Sequence, residues 1–153
     1  MITRRKIREC VLQAVYAFEL GGGDAEHIIE TIIAPGLRQD AAALAFARRL
    51  FLQSLIISED ADRIIAEHAE HWDLSRIALL DRLVLRMALC EFLCFEDIPP
   101  KVTINEAIEM GKQYSTGGSG KFINGILDAA LAQLRERGML RKSGRGLIGM
   151  TTE

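Results

Sequence analysis

Residues 75–95 read SRIALLDRLVLRMALCEFLCF, and the rest of the chain can be placed around them. The stretch is about twenty residues long and apolar on nearly every side, which marks a helix buried all round. Its few charges are then informative. Asp81 has Ile77, Ala78, Val84 and Leu85 at its i±3 and i±4 positions, so no neighbour on its own helix can neutralise it. Glu91 is flanked in the same way by Met87, Ala88, Cys94 and Phe95.

Downstream, Glu96-Asp97-Ile98-Pro99-Pro100 reads as a rigid connection outside any helix. Thr103-Ile104-Asn105-Glu106 has the T-x-x-E form of a capping box and opens a helix with Ala107, Ile108, Gly111 and Tyr114 on one face. The run YSTGGSGKF, residues 114–122, is a flexible glycine-rich loop. A last helix is expected from about Phe122 to Arg137, closed by Gly138, and residues 139–153 read as a frayed basic tail. Upstream of the central stretch, residues 4–20 carry the apolar face Ile7, Val11, Ala14, Val15 and Phe18 between a Thr3 cap and Gly21-Gly22-Gly23. Asp24 caps a second helix that Pro35-Gly36 should stop. Asp40 opens a third, which runs on through Ile64-Ile65 because Ser58 alone is a weak breaker. No strand is evident, and the fold class is all-α.

The chain has 153 residues, 49% hydrophobic and 26% charged, so wholesale disorder is excluded. A chain of this size buries roughly 70% of its unfolded surface and needs neither disulfide nor metal to fold. No apolar run approaches the roughly 18 residues that span a bilayer, and the basic N-terminus lacks the apolar core of a signal peptide. No membrane role is expected, and the expected compartment is the cytoplasm, where Cys10, Cys90 and Cys94 act as small buried hydrophobes. The net charge of −2 conceals an asymmetry: residues 1–10 sum to +3, residues 11–134 to −8 and residues 135–153 to +3.

Enzymatic constellations are weak. His68 and His71 sit three apart with no third ligand nearby, and read as solvated or capping side chains. Ser115, Ser119 and the histidines show no nucleophile–base spacing, and STGGSGK lacks the order of a nucleotide-binding loop. No catalytic residue, metal site or cofactor is expected. Anion binding is the better signal. Arg4, Arg5, Lys6 and Arg8 load the first turns of the first helix, where the macrodipole makes each exposed cation cost roughly 0.3–1 kcal/mol. Arg4, Arg5 and Arg8 lie off the apolar face, so their heads should project together into solvent, and an arriving polyanion would reverse the cost. A second anion site is plausible at Lys121, at the start of the last helix, with Phe122 and Tyr114 as aromatic faces on which bases of single-stranded RNA could stack. The plainer reading takes those two aromatics as core residues.

Three segments, WDLSRIALLDRLVLRMALCEF, DIPPKVTINEAIEMGKQYS and KFINGILDAAL, together resemble the NusB transcription antitermination factors, and RRKIRECVLQAVYAFEL is similar to that family's arginine-rich first helix. The resemblance implies a single all-helical domain over residues 1–138, of about seven helices in two three-helix halves packed together (about 3–70 and 72–138), without catalytic activity. It implies pairing with ribosomal protein S10 and capture of the boxA element of nascent RNA, within a complex that helps RNA polymerase resist termination on ribosomal RNA operons. By position, Arg4, Arg5, Lys6 and Arg8 fall in the family's RNA-binding motif. Gln13, Tyr16, Tyr114, Lys121 and Phe122 match RNA-side positions, with Lys101 a weaker match, and Asp81 matches an acidic position facing S10. Some relatives self-associate, so a homodimer is a further expectation. Two alternatives stay open: a helical adaptor that binds only protein, and a stand-alone module like the RNA-recognition part of ribosomal RNA cytosine methyltransferases.

Overall fold

The computed structural model describes residues 2–69 and 74–150. Among them every regular element is helical, and the chain forms two compact units, Met1–Ile56 and Ile57–Glu153.

The first unit begins with α1, Arg4–Gly21. Thr3 caps it, its hydroxyl accepting from the Lys6 amide at 3.1 Å. Asp24 caps α2, Ala25–Ile28, in the same way through the Glu26 amide. Pro35 does not stop this segment as expected. A wide π turn over Ile29–Ile33 leads directly into α3, Ala34–Leu37, and places the proline in its first turn. There a missing amide is no loss, since first-turn N–H groups have no partner within the helix. Asp40 opens α4, Ala41–Ile56, by accepting from the Ala43 amide at 3.0 Å. Val11 and Val15 of α1 are fully buried, as are Leu50 and Phe51 of α4, the helix α1 packs on. Phe18 meets Phe51 edge to face at 6.5 Å between ring centres.

The third helix does not run on through Ile64. Ile57 leaves helical geometry at φ −92°, ψ 8°, and a separate α5 follows, Ser58–His68. Glu59 and Asp60 in its first turn suit a helix start, where acids are favoured. The second unit therefore contains α5 with α6 (Leu79–Cys94), α7 (Pro100–Tyr114) and α8 (Ser119–Glu136). Every residue from Leu83 to Phe92 is buried, so α6 is the surrounded helix that its composition demands. Two of its charges are met from outside: Thr103 Oγ1 of α7 donates to Glu91 Oε1 at 2.7 Å, and Arg86 Nη2 lies 3.4 Å from both carboxylate oxygens of Asp62 on α5.

Three further expectations are corrected here. Pro100 is the first residue of α7, which its fixed φ allows, so the helix starts three residues before the supposed capping box and Thr103 is spent on Glu91 instead. The glycine-rich run is mostly helix, because α8 begins at Ser119 and only residues 115–118 form the loop. Two glycines permit a close α7–α8 crossing: a Cβ on Gly111 would fall 2.4 Å from Ile123 Cδ1, and one on Gly120 2.9 Å from Lys112 Cε. The tail is not frayed over residues 142–148. Lys142 Nζ donates to the carbonyls of Glu91 and Phe95 at 2.9 and 2.6 Å, and the Ser143 amide donates to that of Glu96 at 3.0 Å. Gly146 packs against the Glu96 carbonyl so closely that a Cβ would fall 1.8 Å from its oxygen.

Candidate nucleic-acid interface

Arg4, Arg5 and Lys6 are exposed at the start of α1, whose first turn holds no acidic residue. Arg8 is not exposed with them. Only 2% of it is accessible, and its guanidinium lies 5.8 Å from the centre of the Phe46 ring. Arg4 stacks more closely on the same ring, at 3.8 Å. Each contact is within cation–π range, roughly 0.5–1 kcal/mol where the cation is exposed. Phe46 of α4 thus offsets part of the dipole penalty on α1 and holds one guanidinium in place. Sequence reasoning missed it because an aromatic on α4 cannot be matched to arginines some forty residues away without the α1–α4 packing.

Farther along the same helix, Gln13 is exposed and Tyr16 keeps 39% of its surface accessible. Cys10 is half-buried, and burial pushes its thiol up, with Lys6 pulling the other way and Glu9 adding to the rise. It is a packing thiol, and Cys90 and Cys94 are likewise free of disulfides.

In the second unit, Lys101 and Lys121 are exposed in the first turns of α7 and α8. Tyr114, the last residue of α7, and Phe122 are half-buried, between the two readings the sequence left open. The start of α8 is bound into its own loop, with the Ser119 hydroxyl accepting from the Thr116 amide at 3.1 Å. The Phe122 amide donates to Gly118 carbonyl oxygen at 3.3 Å. Three helix starts, those of α1, α7 and α8, therefore present cations where acids would be favoured.

Asp81 stands in the first turn of α6, where the dipole favours an acid. It is 6% exposed and lines a cavity of about 310 Å³ together with Arg76, Ile77, Thr116 and Phe122. Among the described residues its Oδ1 has no hydrogen-bond partner. A buried acceptor left so costs roughly 1–3 kcal/mol, more if charged.

No group of three metal-ligating side chains occurs among the described residues. His68 Nε2 lies 2.7 Å from the Gln133 side chain of α8, and His71 is outside the described residues. Among them, too, no single helix is long and apolar enough to cross a membrane.

The elements define an all-α protein that presents cations at three of its helix starts. The chain belongs to the NusB family, whose model matches residues 5–132. It is 48% identical to the transcription antitermination protein NusB of Salinibacter ruber, over 99% of this chain and 95% of that protein. The corresponding protein of Chloroherpeton thalassium is 41% identical, over 98% of this chain and 71% of its own length. Among solved structures, T. maritima NusB superposes with a TM-score of 0.79 at 39% identity, covering 86% of this chain and 92% of that one. A structure of antitermination factors NusB and NusE with double-stranded RNA matches at TM-score 0.76 over 85% of this chain and 96% of that one, its 22% identity speaking for the fold alone.

Proposed function

We propose that the protein is a transcription antitermination factor that binds boxA-type single-stranded RNA together with ribosomal protein S10, and so keeps RNA polymerase processive on ribosomal RNA operons. The observation that carries this reading is the 48% identity to an antitermination NusB over nearly the whole of both chains. The protein works in the cytoplasm and supplies binding surface, not chemistry.

Arg4, Arg5 and Lys6 contact the RNA backbone, with Gln13 and Tyr16 extending the contact along α1. Lys101 and Lys121 add charge from the second unit, and Tyr114 and Phe122 offer ring faces to unstacked bases, worth roughly 1–3 kcal/mol per base stacked. Arg8, being buried, acts by holding Phe46 and thereby Arg4. S10 binds through Asp81 and its surroundings. The test is RNA binding across a salt series, with and without S10. Affinity should fall steeply as salt rises, with a log–log slope of roughly −0.7 per phosphate neutralised on a single strand, and S10 should strengthen it. RNA affinity indifferent to salt would overturn the reading.

A further inference from the structure

The tail after α8 carries more charge than its docking uses. It lies past residue 132, where the match to the family ends, and residues 137–150 hold Arg137, Arg141, Lys142 and Arg145 with no acid among them. Two of these cations are spent within the molecule. Arg137 lies 4.0 Å from Glu67 of α5, and the half-buried Lys142 donates to the carbonyls of Glu91 and Phe95. Arg141 and Arg145 are exposed, and among the described residues neither forms an ion pair. Both nevertheless stand on backbone that is held in place. Lys142 and the Ser143 amide fasten the chain to the end of α6, and the buried Gly146 lies against the Glu96 carbonyl where no side chain fits. Arg145 projects from the 3-10 turn Gly144–Leu147 between those two anchors.

We propose that the docked tail is a further RNA-binding element, in which Arg141 and Arg145 grip phosphates of the same single strand that Lys101 meets. The inference rests on the reading of the protein as an RNA-binding factor and adds a contact outside its helices. A guanidinium matches a phosphate in charge and in paired hydrogen bonds. Held on fixed backbone, it loses less conformational entropy on contact than it would on a loose tail. Glu96 and Asp97, exposed beside the tail, oppose an anion, but the Lys142 ammonium lies within electrostatic reach of both. With Lys101, Arg141 and Arg145 the cations around the connection outnumber those two acids. Leu147 and Ile148 are exposed on and beside the same turn and would suit a protein. The charge excess, continuous with Lys101 in the first turn of α7, favours the nucleic acid.

The test is binding of a boxA-type RNA with single-stranded flanks across a salt series, using the full chain unaltered, as Arg5→Ala, as Lys142→Met, and with Arg141→Gln and Arg145→Gln combined. S10 binding and denaturant unfolding are measured for each. The double variant should bind RNA severalfold more weakly at low salt and flatten the log–log slope by roughly 1.4, at about 0.7 per phosphate contact, with S10 affinity and the unfolding midpoint unchanged. Lys142→Met frees the tail without touching either arginine, and should weaken RNA binding while keeping the slope. An unchanged slope in the double variant beside a flattened one in Arg5→Ala overturns the tail element and leaves the function standing. RNA binding altered in none of the variants overturns both. A loss confined to S10 in the double variant would mean that the tail takes a protein, and RNA affinity unmoved by Lys142→Met would mean that docking does not set the arginines; either result overturns the proposal.

Discussion

α1 and α6 treat the same physical force in opposite ways. α6 follows its dipole at both ends: Asp81 sits in its first turn, and the Lys142 ammonium donates to two carbonyls at its last. α1 opposes its dipole, with Arg4, Arg5 and Lys6 at its start and no basic residue in its last turn. Part of that order is matched within the first unit by the Phe46 ring, on which Arg4 and Arg8 lie. Arg5 and Lys6 are exposed beside it, where the proposed RNA backbone would meet them.

The comparison breaks most sharply at Arg8. Arg8→Ala should lose about 1–3 kcal/mol of stability, because a buried guanidinium stem and its ring contact vanish together. Denaturant unfolding reads this, and an unchanged midpoint would show that Arg8 is not part of the packing. Arg4→Ala comes next, at roughly 0.5–1 kcal/mol for a lost exposed cation–π contact, with a shallower salt dependence of RNA binding. Arg5→Ala sharpens the contrast from the other side. Its stability should stay within about 0.5 kcal/mol of the parent, while the salt slope flattens by roughly 0.7. If stability fell and the slope held, Arg5 would belong with Arg8.

The smallest effect lies at the far end of α6. Burial pushes the Lys142 ammonium down from the usual lysine value of 10.5, against the upward pull of Glu91, Asp97, Cys94 and Glu96. Between that lowered value and 10.5 the unfolded chain holds more protons than the folded one, so stability from this group rises with pH across that window. Relative to Lys142→Met, the parent should gain stability as pH climbs through it, measured by denaturant unfolding at a series of pH values. A parallel pair of curves would show that the tail is not docked through this ammonium.

Much of the architecture is legible in composition. A stretch apolar on every side can only be a surrounded helix, and Thr3, Asp24 and Asp40 are caps whatever packs above them. The errors cluster where a local signal met a distant partner. Thr103 looked like a cap and became a donor to Glu91, and Gly120 looked like loop freedom and became room for a crossing helix. Arg8 looked like a solvated cation because its heptad position is off the apolar face, and Phe46 drew it in. The basic tail looked loose until Lys142 reached the carbonyls of Glu91 and Phe95 at the end of α6.

By itself the sequence determined the helical class, the surrounded helix and the concentration of cations at helix starts, because periodicity, capping and charge order are properties of a few consecutive residues. Only the tertiary structure decided which cation is buried, where α8 begins, and that Asp81 lines a cavity. Those outcomes depend on pairs of side chains far apart in the chain, and the free energy of such a pair exists only once the backbone has brought its members together.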